Sequence, residues 1–213
     1  MAHAPVVDEH GHAIDTSPDS GYGTTLGLSH RKLLMWAFLS SDCMFFMTLI
    51  SNFVVYFTKG ANGPTPSEIL NIPYTSISAF VLLMSSLTMV LALAAIQRGD
   101  ERGLRIWLLA TALLGSVFLG GQYYEFTTFY HEGMKLTGVN NFSSAFFTLT
   151  GFHGAHVTIG VIWLMSLFVV SLVRGVGQEH SLNVEIAGLY WHFVDIVWII
   201  IFTAVYLMGT ALR

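Results

Sequence analysis

Three observations predict an all-α membrane protein, a bundle of five transmembrane helices. Of 213 residues, 54% are hydrophobic and only 10% are charged, with a mean hydropathy of +0.63. A soluble domain usually carries about 25% charged residues, so this composition cannot supply a water-facing surface. The apolar residues gather into five runs of about 20 or more, the length that crosses about 30 Å of hydrocarbon at 1.5 Å per residue. None of the runs alternates with period 2, which favours helices over barrel strands. The balance of 13 acids against 9 Lys and Arg lacks the basic stripe that nucleic acid requires. A single cysteine, Cys43, makes neither an internal disulfide nor a thiolate metal site by itself.

Residues 1–30 read as a polar tail containing His3, His10 and His12, with four acids among Gly, Ser and Thr. It has no apolar signal-peptide core, so a retained, mobile segment is expected. Residues 31–213 form the expected membrane domain. Its first helix, Leu33–Phe57, follows Arg31-Lys32 and stops before Lys59-Gly60-Ala61-Asn62-Gly63-Pro64. The second, Tyr74–Ile96, is closed by Gln97-Arg98-Gly99-Asp100, and the third, Leu104–Phe126, by Glu132-Gly133-Met134-Lys135. The fourth, Phe142–Val173, meets Arg174-Gly175-Val176-Gly177, and the fifth is Ala187–Leu212. Glycine, proline and charge at each boundary are the expected breakers.

Of the nine Lys and Arg residues, Arg31, Lys32, Arg98, Arg102, Arg105 and Arg174 share the side of the tail, against Lys59, Lys135 and Arg213 opposite. This bias predicts a cytoplasmic amino terminus and an outer carboxyl terminus. The loops are too short for a soluble catalytic domain, so any chemistry lies among the helices. The chain shows no internal repeat, its second span is uncharged, and no span is broken by a central proline. These features argue against a transporter.

Ionisable groups inside apolar spans are costly and therefore informative. The first span holds Asp42 in Ser40-Ser41-Asp42-Cys43, about 15 Å along the axis from Lys32. The third ends with Glu125, in Gln122-Tyr123-Tyr124-Glu125-Phe126. His153 and His156 lie on the fourth, His192 and Asp195 on the fifth, each pair three apart and hence on one face. Trp191 and Trp198 flank the second pair, and Gly151, Gly154 and Gly160 permit close helix approach. Histidines and a carboxylate on neighbouring helices are also the residues that hold haem or a dimetal centre.

Each group has a plainer reading. A membrane histidine is more often an interhelical hydrogen-bonding group than a ligand, and His153, His156, His192 and Asp195 suit a closed polar network. For Asp42 the choice is between a neutral acid donating one hydrogen bond and a proton-linked carboxyl. Glu125, near the end of its span, is expected to reach the interface. The tail histidines belong to a solvated segment. By spacing alone, the bundle is a subunit whose polar groups meet an unnamed partner.

At these residues the sequence resembles subunit III of the haem-copper terminal oxidases. The resemblance is carried by Phe152-His153-Gly154-Ala155-His156-Val157, by Tyr190-Trp191-His192-Phe193-Val194-Asp195-Ile196-Val197-Trp198, by the Gln122–Glu125 motif and by Ser41-Asp42, and extends from about Arg31 to Leu212. Five helices look like the short bacterial form, which lacks the first two of the seven in the mitochondrial form. The resemblance implies a multi-pass protein of the bacterial plasma membrane that holds no haem, copper or other cofactor of its own. It implies packing on subunit I beside subunit II, where the haems and copper reside, with bound phospholipids and the prospect of a larger respiratory supercomplex. It implies no catalytic or metal-binding residue here.

Asp42, Glu125, His153, His156, His192 and Asp195 become the expected proton-uptake support or polar network. Asp42 falls where the family often has glutamate, one methylene longer. On charge grounds Arg102, Arg105 and Arg174 are expected lipid head-group partners. Cytochrome c oxidase is the leading expectation. A quinol oxidase is the nearest alternative, followed by the accessory subunit of nitric oxide reductases and an autonomous haem-binding membrane protein.

Overall fold

The computed structural model describes residues 29–57, 72–131 and 141–207. It comprises α1 (His30–Phe57), α2 (Ile72–Gln97), α3 (Glu101–His131), α4 (Asn141–Arg174) and α5 (Ser181–Phe202). A single 3₁₀ turn, Gln178–His180, leads into α5, which continues as a wider π turn over Thr203–Leu207. All five helices are long and apolar enough to cross a bilayer. Residues 1–28 of the tail, Lys59, Lys135, Arg213 and the last residues of the expected fifth span lie outside the described residues.

Each described helix begins before the span expected from hydropathy, because hydropathy marks the lipid-facing stretch while hydrogen bonding continues into polar turns. The largest difference is at α5, which begins at Ser181 rather than Ala187. Its extra turns carry Asn183 and Glu185, which reach Arg31 and Lys32 at the start of α1. At the other end of the bundle, α3 runs to His131, five residues beyond the expected Phe126.

The α2–α3 turn shows how local chemistry sets a boundary. Gly99 adopts φ +77°, a left-handed conformation that glycine takes without a Cβ clash. The amide of Asp100 then reaches the Ala95 carbonyl at 2.9 Å, closing α2. The Asp100 side chain accepts from the Gly103 amide at 2.9 Å and so caps α3. Gly175, at φ +68°, makes the corresponding turn after α4. Pro73 sits in the first turn of α2, where no amide hydrogen is required.

Packing is unequal. α5 touches α1, α2 and α4, α3 joins α2 to α4, and α1 rests chiefly on α4 and α5. Over their most apolar stretches, 56% of the residues of α5 are buried, against 11% of those of α1. The hub of α5 is Trp191, fully buried and donating from its indole Nε1 to Ser85 Oγ of α2 at 3.0 Å. A methyl group on Gly115 of α3 would stand 2.6 Å from this indole, and one on Gly160 of α4 would stand 2.8 Å from it. Two glycines therefore let α3 and α4 close around a ring supplied by α5. Hydroxyls inside the spans are largely satisfied within their own helices, as where Thr150 and Thr158 donate to the carbonyls four residues earlier.

Candidate functional site

The polar groups singled out by sequence separate into distinct helix seams. On the α1–α4 seam, Asp42 Oδ2 lies 3.1 Å from His156 Nε2, off the ideal hydrogen-bond line. The opposite ring nitrogen of His156, Nδ1, is 2.7 Å from the Phe152 carbonyl one turn earlier. The two side chains are mostly covered, at 14% and 16% exposure for Asp42 and His156. Their cover is aromatic: Phe46 meets the His156 ring edge-on at 5.1 Å, and Phe45 meets Phe152 at the same separation. From α5, the Tyr190 hydroxyl donates to the His156 carbonyl at 3.0 Å. Asp42 is thus tied to a partner helix that its own sequence surroundings did not identify.

His153 is turned about 60° around α4 from His156, into the core between α3 and α5, while still meeting Phe46 of α1 at 6.5 Å. It is fully buried, stacks on Trp198 with ring centres 4.9 Å apart, and meets Phe118 edge-on at 6.0 Å. Among the described residues, neither of its ring nitrogens has a hydrogen-bond partner. On the α2–α5 seam, His192 Nδ1 pairs with Ser86 Oγ at 2.7 Å. Asp195 is buried beside Ser86, and neither of its carboxyl oxygens is in a well-formed hydrogen bond. The four residues therefore do not close into the single network expected from their spacing. Residues three apart are about 300° around a helix, and the remaining angle sends His153 to α3 and α5 but His156 to α1.

Glu125 also departs from expectation. It is buried at 7% exposure rather than reaching the interface, and Thr75 of α2 donates to its Oε1 at 2.5 Å. One turn earlier, Gln122 donates to the Thr150 carbonyl of α4 at 2.7 Å. The Gln122–Glu125 motif thus binds α3 to a different neighbour at each end. The sequence reading missed Thr75, Ser85 and Ser86, since it searched the uncharged second helix only for ionisable groups. Thr75, Ser78 and Ser85 recur at helical spacing in an uncharged span that also holds Ser76, Ser86 and Thr88, and such a stripe of hydroxyls is the signal for a polar seam.

Arg102, Arg105 and Arg174 lie at the end of the bundle where α3 begins and α4 stops. Arg102 and Arg174 are exposed, whereas Arg105 is paired with Glu101 at 3.1 Å. At the same end, Lys32 of α1 pairs with Glu185 of α5, and Gln178 donates to the Gln97 carbonyl at 3.0 Å. Among the described residues, no three His, Cys, Asp or Glu side chains converge on a common point suited to a metal ion. His156 and His192 each direct a ring nitrogen at a polar group of another helix or turn, and His153 is enclosed by aromatic rings.

The chain matches the family model of cytochrome c oxidase subunit III over residues 16–210. It is 42% identical to quinol oxidase subunit 3 of Bacillus spizizenii, across 82% of this chain and 85% of that protein. To cytochrome c oxidase subunit 3 of Bacillus sp. (strain PS3) it is 38% identical, across 87% of this chain and 89% of the relative. To cytochrome bo(3) ubiquinol oxidase subunit 3 of Pseudomonas aeruginosa it is 36% identical, across 97% and 95% respectively.

Proposed function

Because the chain belongs to the cytochrome c oxidase subunit III family, and is therefore a multi-pass subunit of a terminal oxidase complex, we propose that it is the non-catalytic helical support of a cytochrome c oxidase. The family match over residues 16–210 carries this reading. In it, the redox chemistry belongs to subunits I and II, which hold the haems and copper, and this chain packs on subunit I. Its polar side chains serve helix pairing and proton supply. The chain lies in a bacterial plasma membrane, with its polar tail of residues 1–30 in the cytoplasm and its carboxyl terminus outside. The concentration of basic residues at the end where α1 begins supports this orientation.

Asp42 is the proton-linked group in this proposal, while Glu125, His153, His156, His192 and Asp195 support the helix seams around it. Arg102 and Arg174, with Arg105 beside Glu101, face the head groups of bound phospholipids. A second reading, subunit III of a quinol oxidase, is favoured by the 42% identity to the Bacillus spizizenii protein. The donor binds elsewhere in the complex, so the two readings differ in subunit II rather than in this bundle.

The test is purification of the intact complex through this chain in mild detergent. A haem-bearing subunit I, a subunit II with a copper-binding domain and oxidation of cytochrome c are expected. Quinol oxidation by a complex without that domain transfers the assignment to the second reading. A haem Soret band belonging to this polypeptide alone would overturn both. Asp42→Ala is expected to shorten the active life of the complex during sustained turnover, and an unchanged lifetime would reduce Asp42 to packing.

A further inference from the structure

The end of the bundle where α1 begins carries an unbalanced charge. Two observations bring its turns together. Gln178 donates to the Gln97 carbonyl at 3.0 Å, and a methyl group on Gly175 would stand 3.6 Å from Glu101 Oε1. Arg98 in the α2–α3 turn and Arg102 in the first turn of α3 therefore share one patch with Arg174 at the end of α4. All three arginines are exposed. The acids at this end are engaged elsewhere. Glu185 pairs with Lys32 and Glu101 with Arg105. The Asp100 side chain accepts from the Gly103 amide, and Glu179 lies 3.6 Å from His180. Among the described residues, Arg98, Arg102 and Arg174 are left without an acidic partner.

The same end receives the acidic segment of the chain. Residues 1–28 contain Asp8, Glu9, Asp15 and Asp19 but neither Lys nor Arg, and they lead into α1 at Ser29 and His30. α1 is fixed at this end by the contacts of Arg31 with Asn183 and of Lys32 with Glu185. It packs on α4, and α4 packs on α3. With helix axes 8–10 Å apart, the arginines lie about 10–20 Å from the root of the segment. The stretch from Asp19 to Ser29 spans up to about 35 Å when extended, so the patch is within reach of the acids. Exposed ion pairs are individually weak, but covalent attachment holds these acids near the patch at high effective concentration.

We propose that Asp8, Glu9, Asp15 and Asp19 dock on the patch formed by Arg98, Arg102 and Arg174, so that the chain's own amino-terminal segment competes there with anionic lipid head groups. The proposal rests on the reading of Arg102 and Arg174 as anion-binding groups and names a second claimant for them. Charge complementarity and a shared end of the bundle carry it. Because the arginines are exposed, the contact is screened by salt. A bilayer rich in anionic lipid displaces the segment, and a neutral bilayer leaves it in place. The segment thereby responds to the charge of the surrounding lipid.

The test uses the intact oxidase with a small fluorescent unnatural residue at the position of Ser17, in phosphatidylcholine vesicles. Its anisotropy is expected to be high at low salt and to fall to that of a free peptide near 1 M salt, where the Debye length is about 3 Å. Replacing the three arginines by Gln is expected to produce the same fall at low salt. Replacing the four acids by Asn or Gln is expected to do likewise, and the two sets together to do no more. The arginines are exposed and unpaired, so their loss leaves helix packing intact, and the acid set gives a second measurement from the other partner. Low anisotropy in the wild type, or high anisotropy that ignores both sets, overturns the docking. Adding phosphatidylglycerol to the vesicles is expected to lower the wild-type anisotropy, and a persistently high value overturns the competition. Phosphatidylglycerol retained by the purified complex is counted in parallel. Its loss from the arginine variant without a change in anisotropy overturns the docking and leaves the head-group reading intact. Its retention despite a fall in anisotropy supports the docking and removes the head-group reading, and the competition with it.

Discussion

Gly115→Ala is a direct test of the packing hub. The new methyl would stand 2.6 Å from Trp191 Cη2, 2.9 Å from Cζ2 and 3.0 Å from Val161 Cγ2. Ordinary contact begins near 3.4 Å, so the ring or α3 must retreat by about 0.8 Å to relieve the closest contact. The ring has little room, because its opposite edge already lies where a methyl on Gly160 would be 2.8 Å away. Tilting it also draws Nε1 away from Ser85, a buried 3.0 Å bond. Overpacking of this kind costs about 1–3 kcal/mol, and a strained or lost neutral hydrogen bond adds about 1 kcal/mol.

The measurement is resistance of this subunit to unfolding in a graded series of denaturing detergent, with retention in the oxidase scored in parallel. Gly115→Ala should unfold earlier. Combining it with Trp191→Phe should recover part of the loss, because Phe lacks the atoms that clash. Wild-type resistance for Gly115→Ala, or no coupling between the two substitutions, would refute the argument that two glycines exist to admit this ring.

His153→Phe is expected to leave the unfolding midpoint unchanged or raise it, since it replaces a fully buried ring with two unpaired nitrogens by an apolar ring of similar shape. Loss of assembly on this substitution would show that His153 has a polar partner in the intact complex. Lys32→Met should loosen the start of α1 from α5 by about 0.2–1 kcal/mol, the range of a partly exposed ion pair. A disulfide between cysteines introduced into the first turns of these two helices should then form more slowly, and an unchanged rate would dismiss the pair as a clasp.

The spans were legible because hydropathy adds along the chain without regard to neighbours. The turn at Gly99-Asp100 was legible for a similar reason, since a positive-φ glycine and an aspartate cap act within a few residues. Helix partners were not. The Thr75–Glu125 bond joins residues 50 apart, and the Asp42–His156 contact joins α1 to the fourth helix. Spacing put His153 and His156 on one face, but the angle of about 60° between them turns them to different neighbours once α1, α3 and α5 surround α4. The tryptophan motif announced an important helix. It did not announce that Trp191 would rest between glycines on two other helices.

The position of α5 bears on how the chain is made. A ribosome delivers α1 first and α5 last, yet α1 packs chiefly on the two last helices. During synthesis the first helix must wait in the bilayer for its partners, and a chain stopped before Trp191 has no ring to close α2, α3 and α4. Such a chain keeps the α2–α3 and α3–α4 pairings but leaves α1 without one of its two chief partners, and Gly115 and Gly160 without the ring they admit.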